Sequence, residues 1–70
     1  MMTRAPEQLW QIRVNDSTWT CEITFEGESY GWMVSILRDG SPFGGHRHLL
    51  RADAVKWADA MKTEIEEWRL

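Results

Sequence analysis

Residues 51–70 read as one amphipathic helix, and that helix limits what the preceding fifty residues can become. With Ala54 at zero and about 100° per residue, Ala58, Met61 and Ile65 fall within about 40° of it, the i, i+4, i+7, i+11 spacing of a buried stripe. Trp57 and Trp68 border the stripe on one side, Lys62 and Arg69 on the other. Lys56, Asp59, Thr63, Glu66 and Glu67 lie opposite, where water solvates them. Ala, Met, Lys and Glu are strong helix formers, and no Gly or Pro interrupts the run. Asp53 in the first turn and Arg69 in the last suit the helix dipole. The start is weakly specified, because Leu50 or Arg51 stands where a Ser, Thr or Asp cap would. An apolar stripe has to be buried against another element, and here that element must be built from what comes before it.

What comes before it alternates. In residues 9–14, Trp10, Ile12 and Val14 face one way, Gln11 and Arg13 the other, as in a half-buried strand. Asn15-Asp16-Ser17 is turn chemistry. Residues 19–26 alternate more cleanly, with Trp19, Cys21, Ile23 and Phe25 inward and Thr18, Thr20, Glu22, Thr24 and Glu26 outward, before Gly27-Glu28-Ser29 turns the chain. Residues 30–38 form the third strand. Tyr30, Trp32, Val34 and Ile36 lie on one face and Met33, Ser35 and Leu37 on the other, so this strand is expected to be central and covered on both sides. Asp39-Gly40 is a two-residue hairpin signal, since both residues tolerate positive φ. A fourth strand over residues 41–49 follows. Pro42 places it at an edge and Gly44-Gly45 suggests a bulge, which leaves its facing open.

The expected fold is a single α+β domain over residues 1–70. A disordered lead-in (1–7) precedes a sheet (8–49) and a helix (51–69). The sheet is an antiparallel meander of three to four strands with the C-terminal helix packed across one face, β-β-β-β-α.

A domain of this length buries only about 60% of its unfolded-chain surface. Five tryptophans are therefore hard to bury under one helix, and one or two are expected to be partly exposed at an interface. The formal charge of −3 disfavours a general nucleic-acid binder, which needs a basic field. The lone Cys21 has no internal disulfide partner and points to a reducing compartment. No apolar run approaches a membrane span and the N-terminus lacks a signal-like core, so a cytoplasmic protein without membrane partners is expected.

Candidate chemistry is sparse. His46 and His48, two apart on a strand, share a face that a divalent metal could use, but no third ligand is placed beside them. Cys21 alternates in phase with Trp19, Ile23 and Phe25 and reads as an inert core thiol. The carboxylates of Glu22, Glu26, Glu28, Glu64, Glu66 and Glu67 read as two solvated negative regions, able at most to imitate a nucleic-acid backbone or fill a basic groove on a partner. Gly44-Gly45 does not lead into a helix bearing a phosphate-binding lysine. No catalytic residue, cofactor or metal is expected, and the chain does not read as an enzyme. The more suggestive cluster is basic: Arg38, His46, Arg47, His48 and Arg51 are expected around one hairpin end and the helix start, where free backbone N–H groups also point outward. With Trp57 and Trp68 they make the candidate partner-binding set.

In residues 32–67, the order strand, Arg38-Asp39-Gly40, strand, Leu49, then Arg51-x-Asp53-Ala54-x-x-Trp57-Ala58 resembles the arm-type DNA-binding domain at the N-terminus of tyrosine recombinases. It is also similar to short bacterial and phage proteins of strand-rich-plus-helix form. The recombinase resemblance implies a three-stranded sheet on one helix, with the sheet face reading DNA. This chain departs from that pattern. Leu50 replaces the Thr expected before the helix, and Glu22 and Glu26 stand where a DNA reader needs Arg or Lys.

Three functions follow as expectations. The first is a non-enzymatic protein-interaction module, a phage- or mobile-element-encoded modulator or inhibitor, anti-CRISPR-like, of a larger bacterial complex. The second is a nucleic-acid-binding domain using the basic patch around Arg47. The third is a small homodimer paired through an edge strand.

Overall fold

The alternating segments pair as their turns dictate. The computed structural model describes residues 6–68, in the order β1 (Glu7–Val14), β2 (Ser17–Phe25), β3 (Trp32–Arg38), β4 (Ser41–His48) and α1 (Arg51–Glu66). The strands form one antiparallel sheet in the order β1-β2-β3-β4, so the fold is an α+β meander with its helix on one face. Asn15 and Asp16 take φ of 50° and 66°, and Asp39 and Gly40 take 51° and 84°. Positive φ at both central residues is the two-residue turn whose twist matches a hairpin. Asp39 also ties the two hairpins together: its N–H donates to the Thr18 carbonyl (2.7 Å) and its Oδ1 accepts from the Thr18 N–H (2.8 Å).

Alternation puts one side chain of each strand into shared rungs. Trp10, Cys21 and Ile36 form one rung, Ile23 and Val34 the next. With Val14, Trp19, Ala54, Ala58 and Ile65 they make the buried core. Ala54 and Ala58 are fully buried, and their small side chains let the helix backbone approach the sheet. That approach is close enough for the Trp10 Nε1–H to donate to the Ala58 carbonyl at 3.0 Å.

Both edge strands are bulged. The register skips Leu9 between Gln8 and Trp10, and Phe43 between Pro42 and Gly44. Each extra residue delivers a side chain to the helix side. Leu9 joins the core, and Phe43 meets Trp19 with ring centroids 4.7 Å apart. The β4 bulge thus falls at Phe43 and not at Gly44-Gly45. Gly45 stays in register opposite Ser35, where the β3 backbone is so near that a Cβ would lie 2.6 Å from the Val34 carbonyl oxygen, so the position requires glycine.

Other expectations shift by a residue or two. Glu7 is already in β1, so the lead-in expected over 1–7 ends sooner; residues 1–5 of it lie outside the described residues. The third strand starts at Trp32, not at residue 30, because Gly31 takes φ of 73° and its N–H bonds back to the Gly27 carbonyl (2.7 Å), a conformation that cannot continue a strand. The sheet ends at His48. The helix ends at Glu66, where the Glu67 N–H is shared between the Thr63 and Glu64 carbonyls at 3.1 Å each, the tightening usual in a last turn. The expected Arg69 cation lies outside the described residues. Leu50 occupies the N-cap without a side-chain hydrogen bond, as its chemistry requires.

The largest correction concerns β3. Among the described residues α1 covers one face of the sheet only, and the Met33, Ser35, Leu37 face has no second layer over it. One helix on one sheet gives a molecule only 15 Å along its short axis.

Three substitutions test this fold. Trp10→Phe removes both the donor to Ala58 and part of the buried indole volume, and urea unfolding should show a loss of about 2–3 kcal/mol. Gly31→Ala should be far worse than Gly40→Ala. Both residues have positive φ, but only at Gly31 would the new Cβ sit 2.3 Å from the His48 carbonyl oxygen. Gly40→Ala should cost about 1–2 kcal/mol, with Gly31→Ala lowering Tm much further or failing to fold.

Candidate interaction surface

The expected basic patch does not assemble. Arg38 pairs with Ser41 at the turn end of the β3–β4 hairpin, whereas Trp32 pairs with His48 at its open end, about 20 Å away at about 3.3 Å per residue. Alternation separates the rest: His46 and His48 face the helix, and Arg47 faces away. All three arginines are also engaged, Arg38 through its Nε–H, which donates to the Ser17 hydroxyl at 3.1 Å. Arg47 donates to Glu26 and to the Tyr30 carbonyl, and Arg51 donates to Glu7 at 2.9 Å while lying over the Trp32 ring. Such exposed pairs contribute only about 0–1 kcal/mol each, but they cancel charge where a polyanion would bind.

The other candidate residues fall into two groups. His46, His48 and Trp57 form a ring cluster where α1 crosses β4, with the histidine centroids 4.6 Å apart. The pair shares a face, and the His48 Nε2 is buried without a partner among the described residues. No three His, Cys, Asp or Glu side chains among the described residues come together as a metal site. Trp68, 40% exposed, packs edge-on against Trp19 at the opposite end, beside Arg38 and Phe43. Trp10 and Trp19 are buried, and Trp32 and Trp57 are half-buried.

Cys21 is fully buried, and its thiol is pushed up to about 12, mainly by burial and then by the carboxylates of Asp59 and Glu22. It is a neutral core group at ordinary pH.

The uncovered face carries a different kind of feature. Its rungs run Thr20–Leu37–Pro42, Glu22–Ser35–Gly45 and Thr24–Met33–Arg47. The middle rung has small residues on β3 and β4, so it forms the floor of a trough between Leu37 and Pro42 on one side and Met33 on the other. The trough measures about 410 Å³ and includes Glu22 in its lining. Arg13 and the Arg47–Glu26 pair complete the charges of this face, so two cations meet two carboxylates and no basic field results. None of the seven candidate residues lines the trough. Its signal was nonetheless in the sequence, as the alternation of Met33, Ser35 and Leu37 opposite the glycine pair. A second apolar patch, Tyr30, Leu49 and Leu50, is more than half exposed at the other end of the sheet.

The buried thiol supplies a test. Disulfide-exchange reagents at pH 8 should react with Cys21 only after denaturant is added. Because the folded value lies above the ordinary 9.0, the thiol is neutral in both states below pH 9. Between pH 9 and about 12 only the unfolded chain gives up the proton, so stability should fall as pH rises through that window. Cys21→Ala should flatten that part of the profile in pH-dependent urea titrations.

Comparison with protein-family models, with curated proteins and with solved structures found no match to this chain. No helix among the described residues is long and apolar enough to cross a membrane.

Proposed function

We propose that this chain is a non-enzymatic protein-interaction module that docks a larger protein or complex on the uncovered face of its sheet. The observation that carries the reading is the open trough: an apolar strip of Met33, Leu37 and Pro42 on a face that α1 does not cover. Exposed apolar surface rimmed by polar side chains is the usual mark of such a site. The small size and charge of −3 fit a phage- or mobile-element-encoded inhibitor of a bacterial defence complex, and the lone reduced thiol fits the cytoplasm.

The alternatives draw less support. A nucleic-acid binder would want Arg38, Arg47 and Arg51 together and free, whereas two are paired with carboxylates and the third lies at the far end. An edge-paired homodimer would want a flat free edge, whereas both edges carry a bulge and β4 also carries Pro42.

The test is affinity capture from a bacterial lysate treated with nuclease, comparing the wild-type chain with Leu37→Lys. Circular dichroism should show the variant folded, since Leu37 is outside the core. The expected result is a specific protein retained by the wild type and lost with Leu37→Lys. Retention lost with Leu49→Asp but not with Leu37→Lys would overturn the trough as the site, and a catch abolished by nuclease would overturn the protein-docking reading.

A further inference from the structure

We infer that the trough is a receptor for a single arginine side chain on the partner protein, entering from the β4 edge and ending at Glu22. This rests on the docking reading above and names the chemistry it would recognise. The trough has a direction, set by the sheet register. Its floor runs across the strands from Gly45 on β4 to Ser35 on β3 and on to Glu22 on β2. That is two interstrand spacings, about 9.6 Å. Of the natural side chains, only the long ones of arginine and lysine come near to lying along it. The walls, Leu37 and Pro42 opposite Met33, are apolar along the length where an aliphatic stem would rest. The inner end is a carboxylate.

The charge at that end is unspent. Glu26 and Glu7, the other described sheet-side carboxylates with a basic neighbour, each pair with an arginine of this chain; Glu22 makes no hydrogen bond or ion pair among the described residues. It is also half-buried, so a cation reaching it is less screened than one on an open surface. A planar guanidinium with two parallel N–H donors matches a carboxylate at the end of a shallow slot better than a compact ammonium, which is why arginine is favoured over lysine. Gly45 keeps the slot open: any side chain there would collide with the Val34 carbonyl and press on the Met33 methyl, 3.2 Å away. The chain's net charge of −3 also attracts a basic partner.

The experiment is an NMR titration of the full-length ¹⁵N-labelled chain with an acetylated, amidated Gly-Gly-Arg-Gly-Gly peptide. Its counterpart with citrulline keeps the shape and removes the charge. The expected result is saturable shifts of the Ser35, Gly44 and Gly45 amides with a Kd on the order of 1–10 mM, as befits one side chain. Citrulline should weaken binding by about tenfold or more, and so should Glu22→Gln with the arginine peptide. Glu22→Gln is nearly isosteric on an uncovered face, so the variant should fold. No shifts, equal response to citrulline, or an unchanged Kd in Glu22→Gln would overturn the inference. If the peptide gives no response while lysate capture still depends on Leu37, the docking reading stands and only the arginine assignment falls. If capture also fails, both fall.

Discussion

Trp10 lies under α1 and at the same time gives its indole N–H to the Ala58 carbonyl, so one side chain supplies both the apolar contact and the registration between the two layers. The magnitudes differ. Burying an indole of about 150–250 Å² at about 25 cal/mol per Å² stabilises by roughly 4–6 kcal/mol as an upper figure. The hydrogen bond adds about 1 kcal/mol. Burial holds the helix down and the hydrogen bond decides where along the helix it is held. The alanines make that possible, because a larger residue at 54 or 58 would lift the helix carbonyls out of the indole's reach.

A single helix can cover one face of a four-stranded sheet, and the rest of the molecule follows from that limit. The helix-side face takes Trp10, Trp19, Cys21, Ile23, Val34 and Ile36. The bulges at Leu9 and Phe43 push two more apolar side chains to the same side while disrupting the edges that would otherwise invite another strand. The other face keeps threonines along β2 and a short apolar strip along β3 and β4. Of the charges near it, Arg47 and Glu26 pair with each other, Arg13 and Glu22 make no ion pair among the described residues, and Glu22 gives the trough its polarity.

Architecture was legible because alternation and turn chemistry agree along the chain. Val14-Asn15-Asp16-Ser17 and Arg38-Asp39-Gly40-Ser41 each specify a two-residue turn, and the period of two on either side then sets which side chains meet. The bulges were harder. An extra residue in an edge strand leaves no mark in composition, and Gly44-Gly45 drew attention from Phe43, the residue that steps out of register. How the candidate residues are distributed in space was less legible, for two physical reasons. Proximity in sequence is not proximity in space: a hairpin sends Arg38 and His48 to opposite ends, and alternation sends Arg47 and His46 to opposite faces. The apolar odd face of β3 alternates as a covered face would, although nothing in the described chain covers it, and the proposed docking site rests on that uncovered strip.

The most direct measurement of that idea is site-specific photo-crosslinking in cells, with a benzophenone side chain placed either at Leu37 on the uncovered face or at Lys56 on the solvated side of α1. The account predicts a discrete crosslinked band to one other protein from position 37 and none from position 56. Crosslinking from 56 but not 37, or the same pattern from both, would contradict the claim that the uncovered face of the sheet is where this protein meets its partner.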